Sequence, residues 1–246
     1  RDGAYGPWLE LATVDRDYRK VINTVASRLE TWRWGEDLER FQTFAKHVNS
    51  NSTALRRLAL LELDRADYSL LRQVRLPRIP TLAADIATGE PDLLPIRVLL
   101  AGLSKDRSMV PILTDGLAQA VADDVPYVGA FATAMMQLQG GKAGQGIVDQ
   151  VLGNGTVPKE TQERVIEAFA IQSQTGNRRM ERSVYAQMAQ ALQKDPSLAA
   201  PVARQFGARG DWGLADAIQV AAAASPPVTG EAVFSMSQYR GLAQNA

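Results

Sequence analysis

Apolar residues along this chain of 246 residues recur at steps of three and four, the spacing that lines up side chains on one face of an α-helix and not on alternate faces of a strand. Leu93, Ile96, Leu100 and Leu103 step by 3, 4 and 3, and Val110, Leu113, Leu117 and Val121 by 3, 4 and 4. Tyr127, Phe131, Met135 and Leu138 continue the pattern, as do Val184, Met188 and Leu192. Turn-forming or helix-breaking spots interrupt it near Arg16, Gly35, Ser50, Ala66, Gly89, Lys105, Asp124, Gly141, Gly155, Asn177, Asp195, Gly210 and Pro226. Each gap has room for one helix of about three turns and a short loop. Two gaps make a unit of about 34 residues, the length scale of a helical repeat. Pro91, Pro126 and Pro158 stand where a helix can begin without losing an internal hydrogen bond.

Short helices with one apolar stripe are marginal alone in water and must stack on neighbours. The pattern therefore predicts an all-α protein, a right-handed α-solenoid or superhelix of about six antiparallel helix pairs, in which each unit touches mainly the next. Helix should cover well over half of the residues, above the one-third of an ordinary domain, and strand should be nearly absent. One array is expected over residues 1–246. Trp8, Leu9 and Leu11 read as the tail of a helix and Glu231 to Leu242 as the opening of another, with no polar cap at either end. An array without caps is expected to be a segment of a longer protein.

The stretch from Gln190 to Pro227 resembles a tetratricopeptide repeat. Ala203, Phe206, Ala215, Ala222 and Pro227 occupy the places of that family's small, aromatic and closing residues, and Gly210, Asp211 and Trp212 resemble its Gly-Asp-aromatic turn. Ala191, Leu192, Asp195 and Pro196 fit the end of the preceding unit, and Asp17 with Tyr18 and Asp67 with Tyr68 echo the turn. From about Leu76 to Thr156 the rhythm persists without the signature, and HEAT-like helix pairs are the alternative there. The resemblance implies that Ala203 and Ala215 are small so that the two helices of a pair approach closely. It also implies a concave groove that holds a peptide, a helix or another protein.

Composition narrows the chemistry. There is no cysteine, so disulfides, thiolate nucleophiles and zinc-cysteine sites are excluded. The 27 basic residues balance 27 acidic ones, which disfavours nucleic acid and anionic membranes as partners. No run approaches the roughly 18 apolar residues of a membrane span. His47 is the only histidine and has neither a metal cluster nor a nucleophile motif around it. Glu36, Asp37, Glu39, Asp123 and Asp124 are scattered and read as solvated faces or caps. The run Gly140, Gly141, Lys142, Gly144, Gly146 lacks phosphate-loop spacing and reads as a flexible turn between helices. No catalytic, cofactor or metal site is expected, and the reading is a non-catalytic scaffold for protein–protein interaction. The alternative is the superhelical accessory region of a wall-cleaving enzyme such as a lytic transglycosylase, although the lysozyme-like catalytic motif is not found.

Two places are candidates for partner contact. Between Arg56 and Arg78 six arginines face three acids, and the guanidinium fork suits carboxylates. Arg72, Arg75 and Arg78 are expected closest to a partner, because Val74 to Pro80 is too interrupted by proline to continue a helix. Trp32 and Trp34, flanking Arg33, are the second candidate. The expected partner is another protein of acidic character, or an anionic polysaccharide. The lack of cysteine and the abundance of Ala, Gln and Arg fit the periplasmic helical part of a bacterial envelope or exopolysaccharide-export protein, with the cytoplasm as the alternative compartment.

Overall fold

A computed structural model describes residues 14–32, 37–226 and 229–245. Among these residues the protein is all-α, with helix covering 75% and no strand. It divides into two compact units, Arg1–Thr81 and Leu82–Ala246. Gly35, Trp8, Leu9, Leu11, Trp34 and Pro227, which the sequence singled out, lie outside the described residues.

The first unit contains α1 (Arg16–Trp32), α2 (Leu38–Ala45), α3 (Thr53–Asp64) and α4 (Tyr68–Leu71). The Asp15 carboxylate accepts the Tyr18 N–H at 2.7 Å, and Asp37 caps α2 by accepting the Glu39 N–H at 2.8 Å. Both caps supply an acceptor and negative charge to amides that have no partner inside the helix. α2 and α3 pack on each other and bury Phe41, Phe44, Leu55, Ala59 and Leu63. α4 is a single turn, and Pro77 and Pro80 follow too closely for it to lengthen.

The second unit contains α5 (Leu82–Thr88), α6 (Leu94–Leu103), α7 (Met109–Ala122), α8 (Val128–Gln139), α9 (Gly141–Ile147), α10 (Lys159–Thr175), α11 (Arg178–Lys194), α12 (Ala199–Gly207), α13 (Ala215–Ala224) and α14 (Gly230–Ala243). Tight 3₁₀ turns precede α6 and α12 at Pro91–Leu93 and Pro196–Leu198, and a π turn, Val148–Leu152, prolongs α9. The even-numbered helices form one continuous layer, α6 against α8, α8 against α10, α10 against α12 and α12 against α14. In the second layer α11 touches both α9 and α13. Helices of the first layer from α6 to α14 begin at residues 94, 128, 159, 199 and 230, so the average unit matches the rhythm read from the sequence.

The core lies between the layers. Ile96, Leu100, Leu113, Leu117, Phe131, Val184 and Met188, which the three-four periodicity selected, are buried, together with Met136, Ile166, Phe169 and Phe206, while Leu103, Val110, Val121, Tyr127 and Leu138 of the same pattern are half-buried. Burial of each large side chain contributes about 1.5–3 kcal/mol against the entropy of ordering the chain. Small residues set the spacing of the helices. A Cβ on Gly102 would lie 2.6 Å from the Ala134 Cα, so α6 and α8 cross in near backbone contact. Ala203 is 2% exposed, as the close approach of α12 requires. Ala215 and Ala222 are half-buried and line an opening of about 200 Å³ with Val233, Met236 and Arg240 of α14.

The glycine run at 140–146 is not the turn that the sequence suggests. Gly140 alone turns, at φ +74, and Gly141 to Ile147 are helical. Gly141 and Gly144 inside α9 serve close packing. A Cβ on Gly144 would meet the Gln187 side chain at 2.4 Å, and one on Gly141 would meet Ser183 at 2.2 Å. Gln187 in turn donates to the Gly141 carbonyl at 2.6 Å.

A polar knot ties α10, α11 and α14 to the turn between α12 and α13. Gly210 takes φ +66, a conformation that costs glycine little, and this delivers the buried Asp211 carboxylate inward. The carboxylate accepts Ser173 Oγ of α10 at 2.6 Å, Tyr185 Oη of α11 at 2.8 Å and the Gly213 N–H at 3.2 Å. Tyr239 of α14 donates to the Asp211 carbonyl at 2.7 Å and stacks edge-on against Trp212, with ring centroids 5.0 Å apart. Burial pushes the Tyr239 hydroxyl up to about 12. Burial, reinforced by Asp211, pushes Tyr185 up as well, so both hydroxyls remain proton donors at any physiological pH.

Ion pairs link the outer edges of the first layer. Arg204 of α12 donates to Glu163 of α10 through Nε at 2.7 Å and Nη2 at 2.6 Å, and to Glu231 of α14 at 2.7 Å. Arg209 reaches Glu167 at 2.8 Å. The Arg204 hydrogen bonds hold the Glu163 carboxyl below its ordinary value of 4.5 despite partial burial. A carboxylate with a lowered folded pKa stabilises the fold above its unfolded pKa, and that contribution is lost as pH falls through the lowered value. Glu163→Gln is therefore expected to cost about 1 kcal/mol at neutral pH. Thermal melts of the two proteins should converge as the pH is taken below that of ordinary carboxylates. A constant gap would assign the cost to packing.

Candidate functional site

After α4 the backbone from Arg75 to Ile79 belongs to no helix or strand, and the residues before Pro77 and Pro80 are biased by those prolines toward extended conformations. It does not hang free. Gln42 of α2 clamps it with both ends of its amide: Oε1 accepts the Arg75 N–H at 2.8 Å, and Nε2 donates to the Arg75 carbonyl at 3.0 Å. Asn49 Nδ2 donates to the Arg78 carbonyl at 2.5 Å. Backbone groups that would have joined a helix are satisfied by two side chains, as a partly covered backbone requires.

The arginines are placed unequally. Arg75 and Arg78 are exposed, whereas Arg72 caps α4 and is half-buried. None of the three guanidinium groups pairs with a carboxylate among the described residues. Elsewhere in the Arg56–Arg78 stretch Arg56 donates to the Ser50 carbonyl at 3.2 Å, and Arg65 reaches Glu62 at 2.7 Å. The balanced charge of the chain also conceals a division. The first unit holds 14 basic against 11 acidic residues, the second 13 against 16, so the exposed arginines sit in the positive unit.

Trp32 is placed differently from the exposed contact that its sequence neighbours suggest. It is only 5% exposed, its ring packs against Phe44 at a centroid distance of 6.5 Å, and its indole N–H has no hydrogen-bond partner among the described residues. It closes one end of a groove of about 530 Å³ walled by Ile22, Val25 and Leu29 of α1 and by Phe44 and Leu58. Ile22 and Leu29 are 44% and 57% exposed there. Arg40 and the buried Glu62 form an ion pair in the groove wall, with Arg40 Nε 3.0 Å from Glu62 Oε2. Arg40 and Gln42 are two residues apart on α2, about 200° around the helix. The groove and the arginine segment thus lie on opposite sides of α2, and the fold does not bring Trp32 together with Arg75 and Arg78.

Sequence reasoning missed Gln42, Asn49 and Glu62. The two amides act across 33 and 29 residues, a distance over which no local pattern carries information. His47 is half-buried, and burial lowers its pKa. No cluster of three or more metal-ligating side chains and no helix long and apolar enough to cross a membrane occur among the described residues. No protein-family model, curated protein or solved structure matches the chain.

Proposed function

We propose that this chain is a non-catalytic, partner-binding scaffold of stacked helix pairs, tetratricopeptide-like in rhythm and forming a right-handed superhelix of about six pairs. In this reading it is the periplasmic helical part of a bacterial envelope or exopolysaccharide-export protein. An acidic protein docks on the segment that carries Arg75 and Arg78, with Arg72 at its edge. The observation that carries the reading is the exposed arginine pair on a backbone already fixed by Gln42 and Asn49. A fixed backbone spares a partner the entropy of ordering the loop, and unpaired guanidinium groups present forks for carboxylates. The two-layer packing and the near-34-residue spacing of helix pairs support the scaffold class.

The test is binding of a fluorescent polyglutamate peptide to the full chain. Replacing Arg72, Arg75 and Arg78 together by glutamate is expected to weaken binding by at least about tenfold at low salt. The difference should shrink as salt rises, because exposed charges are screened beyond about 8–10 Å at physiological ionic strength. Helix content and melting temperature should stay the same. Equal affinity of the two proteins at low salt removes the charged segment from the contact surface.

A further inference from the structure

The segment from Arg75 to Pro80 has a period of three. Arg75 and Arg78 are exposed, Leu76 and Ile79 are half-buried, and Pro77 and Pro80 are exposed. The clamped carbonyls, those of Arg75 and Arg78, are also three apart. Three residues per turn is the repeat of the polyproline II helix and of no other common backbone form without internal hydrogen bonds. The sequence enforces it. Pro77 and Pro80 fix their own φ near −65°, and Leu76 and Ile79, each preceding a proline, are held to extended conformations. In that form the segment makes a triangular rod that ends at the turn of Pro80 and Thr81. One edge, Leu76 and Ile79, lies against the protein, and two edges face solvent, one of prolines and one of arginines.

We infer that this rod is a preformed ligand for a polyproline-reading protein domain, one that offers a groove of parallel aromatic rings bordered by carboxylates. The inference rests on the proposed docking of an acidic partner at this segment and specifies what that partner looks like. Charge complementarity selects the carboxylates: Arg75 and Arg78 flank the proline edge without an acid of their own among the described residues. The spacing of Pro77 and Pro80 selects the rings, since grooves of this class grip prolines three residues apart in a helix that loses little entropy on binding. Aromatic faces add attraction for the guanidinium groups.

The experiment titrates the full chain with an SH3 domain whose specificity loop is acidic, and with the same domain after its groove tryptophan is changed to alanine. Two double variants accompany the native chain, Pro77→Ala with Pro80→Ala, and Arg75→Glu with Arg78→Glu, each checked by circular dichroism for unchanged helix content. The native chain is expected to bind the intact domain. Each of the three alterations, in either partner, should weaken binding by about tenfold or more. Loss with the arginine variant but not with the proline variant overturns the polyproline reading and leaves the acidic contact standing. Loss with the proline variant alone overturns the charged contact. Failure of the native chain to bind the domain, with arginine-dependent binding of polygalacturonate in its place, overturns the inference in favour of a glycan. Should the double proline variant lose helix, Pro77→Ala alone and the tryptophan-deficient domain decide the same question.

Discussion

Asp211→Ala is expected to destabilise the second unit by roughly 3 kcal/mol, one of the two largest single effects the structure implies. The carboxylate accepts hydrogen bonds from Ser173 and Tyr185, which belong to different helices, so its removal costs both hydroxyls a charged acceptor at once and leaves Ser173 the Ala170 carbonyl at 2.9 Å and Tyr185 the Glu181 carboxylate at 3.4 Å. Hydrogen bonds to a charged acceptor contribute about 1.5–3 kcal/mol each, and a buried donor left without a partner costs about 1–3 kcal/mol. The losses are not additive, because the freed hydroxyls share one space and the neighbours relax. Asp216→Ala, at an exposed position in the first turn of α13, is the matched control and should change stability by less than about 0.5 kcal/mol. Hydrogen exchange over α10 to α14 is the measurement, since it reports the second unit without interference from the first. Equal protection in the two variants would mean that the knot is dispensable to packing.

Gly102→Val should cost a similar amount, roughly 3 kcal/mol, against the usual direction of a glycine replacement in a helix. Glycine inside a helix is ordinarily about 1 kcal/mol worse than alanine. Here the added Cβ would sit 2.6 Å from the Ala134 Cα and 2.8 Å from its carbonyl oxygen. These are backbone atoms, so no rotamer change makes room and α6 and α8 must separate. Gly146→Ala is the sign test. It lies within α9, nothing surrounds its Cβ within 4 Å, and it should stabilise by about 1 kcal/mol. If both substitutions stabilise, α6 and α8 are not in backbone contact.

Much of the fold was legible because helix boundaries are local. Asn177, Asp195 and Gly210 were read as turns from residue type alone, and the structure has them at an N-cap, a C-cap and a left-handed turn. Core positions followed from the three-four spacing, which needs no knowledge of the partner helix. Gly141 and Gly144 of α9 were misread because the sequence shows only that a side chain is missing. Whether that absence serves a turn or a close neighbour depends on Ser183 and Gln187, some forty residues away in space-filling contact. At the candidate site, the prolines announced an exposed segment. The amides that hold it did not announce themselves, since glutamine and asparagine on a helix surface are ordinary.

The layered contacts of the second unit also bear on how it responds to force. Each even-numbered helix is held by the one before it and the one after, and the cross-layer hydrogen bonds and ion pairs bridge only 26 to 46 residues, as between Tyr185 and Asp211 or Gln187 and Gly141. No element threads through the whole, so tension applied along the stack meets a series of similar fastenings and not one master lock. Such an arrangement lengthens in instalments. Each detached helix pair of about 34 residues releases on the order of 100 Å of chain, and the remainder keeps its own core. A stack of this construction yields to tension gradually, as an extensible element, and not by a single all-or-none rupture.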